Sequence, residues 1–178
     1  MKEYAWEHDV NLRLITTKIA DPWGNNGNGK AKYSLWDVYP FADFITYPSL
    51  YEGFGNAFLE AIYFKKPLLV NRYATFVKDI EPQGFDLIAM NGFLSRKIVQ
   101  SVIEILESPE KREKMINYNY DVAARHYSYS ILRTRLNAIL SYFFGDSAKD
   151  ISDNTSFLKQ KDDTDPFGLS KKTARQSY

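Results

Sequence analysis

Tyr47-Pro48-Ser49-Leu50-Tyr51-Glu52-Gly53-Phe54-Gly55-Asn56-Ala57-Phe58-Leu59-Glu60-Ala61 runs from the end of an apolar stretch through a glycine turn into a helical pattern. Phe44-Ile45-Thr46-Tyr47 is short and rich in aromatic and branched residues, which predicts a buried strand. Pro48 stops it, because proline cannot donate to a sheet ladder. Phe58, Leu59, Ile62 and Tyr63 recur at helical spacing, with Asn56 as the expected cap. Lys65 and Lys66 follow, where positive charge suits the C-terminal end of the helix dipole. The two glycines let the backbone approach a ligand, and the amides of Gly55 to Phe58 are expected to stand open at the helix start. Such a turn favours an anion, and phosphate above all.

Outward from this turn, strands and helices alternate. Pro67 to Asn71 and Asp86 to Met90 are further apolar runs that predict strands, and Val10 to Thr16 predicts one more. A helix is expected over Leu94 to Glu107 with Ser95 as cap. The next opens at Ser108-Pro109 and reaches about Arg125, and a last one covers Ser128 to Phe144. Ser34 to Tyr39 is a short helical candidate ended by Pro40. Continuous apolar strands between helices indicate an α/β fold, a Rossmann-like parallel sheet flanked by helices. Ligands of such sheets lie at the carboxyl ends of the strands. One domain is expected over residues 1–145, and the polar stretch 146–178 reads as a flexible tail.

Composition removes several function classes. The 178 residues include no Cys, which excludes thiol catalysis, disulfides and cysteine metal sites. Only two His are present, His8 and His126, so a His-rich metal site is not expected. Lys and Arg number 23 against 22 Asp and Glu, a balance that gives no case for nucleic acid as partner. The N-terminus has no apolar signal region and no apolar run is long enough to span a bilayer, so the cytoplasm is the expected location, with no transmembrane segment.

Gly24 to Lys30 has phosphate-loop spacing, but Ala31 stands where the magnesium-binding hydroxyl is required, so this stretch reads as a loop. Gly53-Phe54-Gly55 opens like a dinucleotide fingerprint, yet Phe58 fills its third glycine position. Glu52 and Glu60 flank the turn with seven residues between them. Carboxylates would repel a phosphate that touched them, so they suit hydroxyls on either side of it. A sugar nucleotide has hydroxyls at both ends and a diphosphate between. The spacing alone is equally met by Glu52 as a solvated loop residue and Glu60 as a surface helix residue. Asn71 and Arg72 follow a strand end and are candidates to face the donor base.

The quoted stretch resembles the E-x7-E signature of retaining GT-B glycosyltransferases, the glycosyl transferases group 1 family. Lys66-Pro67, Asn71-Arg72-Tyr73, Asp79-Ile80 and Tyr127-Ser128-Tyr129 extend the likeness, which is strongest to the mannosylglucosylglycerate-synthase-like branch. The resemblance implies transfer of a hexose from a nucleotide-diphospho-sugar to a sugar or small-molecule acceptor, with retention. It implies Glu52 as the catalytic residue beside the donor sugar and Glu60 on the donor ribose. Gly53, Phe54, Gly55, Asn56, Ala57 and Phe58 would bind the donor through their backbone. No metal and no cofactor are implied. A GT-B enzyme has two Rossmann domains, and the match falls on the later part of the second. The chain is thus expected to be an N-terminally truncated donor-binding part, silent without an N-terminal GT-B domain that could be a separate chain. Its last helix, with Phe143 and Phe144, is then expected to expose apolar surface. The alternative is a non-catalytic nucleotide-sugar-binding or interaction module derived from such an enzyme.

Overall fold

The computed structural model describes residues 2–15 and 33–145. The chain divides into two compact units, Met1–Ala42 and Asp43–Tyr178. The Gly24–Ala31 loop and the expected tail lie outside the described residues.

In the first unit, helix α1 (Lys2–Glu7) precedes Asp9, whose positive φ of 52° turns the chain. Residues 10–15 form no strand, contrary to the expectation for Val10 to Thr16. Their apolar, branched side chains favour an extended backbone, but a strand needs a ladder partner. Here the amides of Val10 and Leu12 bond locally, to the carbonyls of Ala5 and Val10 (2.8 Å each). Ser34 and Asp37 form a reciprocal cap, the Ser34 N–H donating to the Asp37 carboxylate at 2.7 Å. It starts two 3-10 turns, Leu35–Asp37 and Tyr39–Phe41, with Pro40 inside the second rather than ending the first.

The second unit carries the sheet. Strands β1 (Ile45–Tyr47), β2 (Leu68–Asn71) and β3 (Ile88–Met90) are parallel and lie in the order β1-β2-β3. Tyr47 pairs with Val70, and Asn71 with Met90. Helix α2 (Asn56–Tyr63) connects β1 to β2. A π-helical turn, Phe76–Ile80, and a 3-10 turn, Glu81–Gln83, lead to β3. Helices α3 (Arg96–Glu107), α4 (Pro109–Tyr127) and α5 (Tyr129–Phe144) follow. The hydroxyls of Ser95, Ser108 and Ser128 each accept an amide at the start of the next helix, where the first turn has no carbonyl partners of its own.

All four residues of β2 are buried, as a central parallel strand requires. Leu69 packs with Ile88 and Met90 of β3, Ile105 of α3 and Met115 of α4. Phe58 of α2 is fully buried, its ring edge-on to Phe76 (6.0 Å) and Phe85 (5.2 Å). Asn119 of α4 both accepts from the Asp86 amide (2.8 Å) and donates to its carbonyl (2.7 Å), which ties that helix to the approach of β3. The end of α5 exposes Tyr142, Phe143 and Phe144. Among the described residues no helix is long and apolar enough to cross a membrane.

Candidate functional site

The carboxyl end of β1 feeds a turn whose conformation only glycine tolerates easily. Gly55 has φ +86° and occupies the cap position of α2, so Asn56 is the first helical residue and not the cap. Crowding reinforces the choice. A Cβ on Gly55 would stand 2.6 Å from the Tyr73 hydroxyl and 3.2 Å from that of Tyr47. Gly53 differs, since a Cβ there would meet nothing within 4 Å, so the chain's own packing does not demand glycine.

The proposed site residues fall at both ends of this turn. Glu52 is half-buried and precedes it, and Glu60 is half-buried one turn inside α2. Phe54 is half-buried, its ring edge-on to Tyr127 at 5.4 Å. Asn56 is exposed at the helix start, with Ala57 half-buried beside it. Phe58 stands apart: its side chain belongs to the core. Its amide, expected to stand open, donates to the Gly55 carbonyl at 2.9 Å. That bond closes the first turn of the helix and removes one donor from the set the sequence suggested.

Two tyrosines, Tyr47 and Tyr73, interact with Glu52. The Tyr47 hydroxyl hydrogen-bonds its side chain, and burial, that bond and the Glu52 charge push the Tyr47 ionisation up to about 12. Tyr73 is likewise pushed up to about 12, by burial first and then by the charges of Glu52 and Tyr127. Both hydroxyls therefore stay protonated donors into the alkaline range. The two rings meet edge-on at 6.2 Å beneath the turn.

Asn71 and Arg72, candidates to face the donor base, are both engaged within the protein. Asn71 is buried; its Nδ2 donates to the Ser49 carbonyl (3.0 Å) and its Oδ1 accepts from the Gly92 amide (2.7 Å). It thereby joins the loop after β1 to the loop after β3. Arg72 forms a two-pronged pair with Glu81 (2.8 and 2.7 Å) and also donates to Asn91 (3.3 Å). The glutamate raises the guanidinium's already high pKa. His126 lies in the last turn of α4, half-buried. Tyr127 stacks on Phe85 at 6.3 Å, so this tyrosine packs the end of α4 against the loop before β3 and, through Phe54, against the glycine turn.

Sequence reading missed Tyr73 and Thr75. The Tyr73 hydroxyl donates to the Phe54 carbonyl (2.9 Å) and the Thr75 hydroxyl to the Glu52 carbonyl (3.3 Å). The signal available was a hydrogen-bonding side chain at every second position, Asn71, Tyr73 and Thr75, directly after an apolar run.

The family model described as glycosyl transferases group 1 matches residues 28–122. A mannosylglucosylglycerate synthase of Petrotoga mobilis is 48% identical over 92 residues, which cover 52% of this chain and 21% of that protein. A mannosylglucosylglycerate synthase of Thermotoga maritima is 32% identical over 154 residues, covering 79% of this chain and 33% of that protein. The chain thus spans a fifth to a third of the length of these relatives. No solved structure matches it.

Proposed function

Because the chain belongs to the glycosyl transferases group 1 family, we propose that it is the donor-binding part of a retaining hexosyltransferase that uses a nucleotide-diphospho-sugar. The observation that supports this reading is the glycine turn at the carboxyl end of β1, set against the start of α2 with a glutamate on each side. In this reading the diphosphate lies over Gly53 and the first turn of α2. The open space at Gly53 admits a close approach, and the helix end favours negative charge. Phe54, Gly55, Asn56 and Ala57 contribute backbone, while Phe58 anchors the helix in the core. Glu60 accepts the ribose hydroxyls. Glu52 lies beside the transferred sugar, where a carboxylate stabilises the positive charge that grows as the bond to diphosphate breaks.

Both relatives are named for mannosylglucosylglycerate, a product bearing two hexosyl groups, which supports a hexose as the group transferred. The acceptor is a sugar or small molecule, and no metal takes part. Turnover needs an N-terminal GT-B domain, and the exposed end of α5 is the surface offered to it. A cytoplasmic location belongs to the same proposal.

Titration of the chain with UDP, GDP and ADP, followed by amide shifts, tests this reading. Shifts are expected to cluster at Gly53 to Phe58, with affinity on the order of millimolar for one nucleotide. Glu60→Ala should abolish the preference for nucleotide over free diphosphate. Glu52→Ala should matter only when a sugar is attached. Silence of the Gly53–Phe58 amides towards all three nucleotides at high millimolar concentration would sink the reading.

A further inference from the structure

The last residue of β2 and the segment that follows it reach across to the loop after β1 three times. Asn71 donates to the Ser49 carbonyl, Thr75 to the Glu52 carbonyl and Tyr73 to the Phe54 carbonyl, at 3.0, 3.3 and 2.9 Å. Every one of these bonds captures a backbone oxygen of the loop. The consequence is sharpest at Phe54. A trans peptide is planar, so its carbonyl and the following N–H point in opposite directions. A Phe54 oxygen directed at Tyr73 sends the Gly55 N–H away from Tyr73. Among the described residues that N–H meets no acceptor, although Gly55 is buried. Buried amides without a partner are rare in folded proteins.

Tyr73 is well placed to enforce this. It is 2% exposed, its ring packed 5.8 Å from that of Phe76, so its hydroxyl has little freedom. The hydroxyl fits because Gly55 has no side chain, a Cβ there standing only 2.6 Å away. With its ionisation pushed up to about 12, it stays a donor into the alkaline range.

Resting on the donor reading above, we propose that Tyr73 is a positioning residue: its hydroxyl sets the Phe54–Gly55 peptide plane so that the Gly55 N–H is presented to the donor's diphosphate. Asn71 and Thr75 hold the preceding part of the same loop. Tyr73 itself touches no reacting atom.

Tyr73→Phe in the full chain keeps the ring and removes the donor. Two measurements read it: backbone 15N relaxation without ligand, and titration with the nucleoside diphosphate that binds the unmutated chain best. Order should fall at Gly55 and Asn56 and stay unchanged at Ile62 and Tyr63. Affinity should fall about tenfold, the effect of one hydrogen bond. Ile105→Val serves as a stability control, because it loosens the cluster of Leu69, Ile88, Met90 and Met115, which contains no residue of the glycine turn. If Ile105→Val, at a comparable loss of thermal midpoint, disorders the turn and weakens binding as much as Tyr73→Phe, a general loss of stability explains both and the proposal falls. Wild-type order at Gly55 and Asn56 in Tyr73→Phe also overturns it. Failure of the unmutated chain to bind any nucleoside diphosphate would remove the donor reading instead, and the relaxation measurement would still decide whether Tyr73 fixes the turn.

Discussion

Val10-Asn11-Leu12-Arg13-Leu14-Ile15 and Pro67-Leu68-Leu69-Val70-Asn71 look alike as sequence, both apolar, both branched, each with one asparagine. The second is the central strand of a parallel sheet, buried at all four strand positions. The first forms no strand, and Val10 and Leu14 are exposed. The asparagines differ as much. Asn71 is buried and joins two loops, whereas Asn11 is exposed. What separates the two stretches is pairing. Leu68 to Asn71 find partners on both sides, in β1 and β3, while the amides of Val10 and Leu12 turn back on their own neighbours.

The largest test of this contrast is in the apolar positions. Leu69→Ala should destabilise the protein by about 3 kcal/mol, since the cavity opens between β3, α3 and α4. Leu12→Ala should cost less than about 0.5 kcal/mol. Denaturant unfolding measures both, and equal costs would mean that residues 10–15 are packed in solution.

The asparagines sharpen it next. Asn71→Ala removes a donor to Ser49 and an acceptor for Gly92, and about 2 kcal/mol should be lost with them. Asn11→Ala should stay within about 0.5 kcal/mol of the parent. Amide exchange at Gly92 should accelerate in Asn71→Ala alone, and protection there as strong as in the parent would break the assignment.

The smallest effect is read only in alkaline solution and concerns Tyr47, at the end of β1, and Tyr73, just beyond β2. The ordinary pKa of a tyrosine is 10.0, and Tyr47 and Tyr73 are pushed up to about 12 in the fold. The folded state therefore holds protons that the unfolded chain releases. Stability from this source is fully present below pH 10 and is lost as the pH rises towards about 12. Denaturant midpoints followed into the alkaline range should fall across that window, and the fall should be shallower in Tyr47→Phe. An unchanged alkaline slope in that variant would show that Tyr47 is not desolvated beside Glu52.

Much of the candidate site was legible because its causes are local. Helix α2 begins where the glycine turn and the apolar period place it, and Ser95, Ser108 and Ser128 cap the helices that they precede in the chain. A cap acts within three residues, so sequence suffices to find it. Asn56 misled by one position, because the cap geometry rests on the positive φ of Gly55 and on the hydroxyls crowded beneath it. Asn71 misled further. A polar residue at a strand end suggests a ligand, but its partners Ser49 and Gly92 lie 22 and 21 residues away along the chain.

By itself, then, the sequence determined the alternation of strands and helices, the position of the glycine turn and the two glutamates that flank it. Propensity, capping and periodicity are properties of neighbours along the chain. Only the tertiary structure decided that Val10 to Ile15 would not be a strand, that the Phe58 amide would be taken by Gly55, and that Asn71, Tyr73 and Thr75 would hold the loop after β1. The strand and the loop depend on which distant backbone arrives to supply a hydrogen-bond partner. The amide depends on how the Gly55 turn closes against the packed tyrosines, and the alternation of Asn71, Tyr73 and Thr75 marks hydrogen-bonding side chains without naming the partners they find.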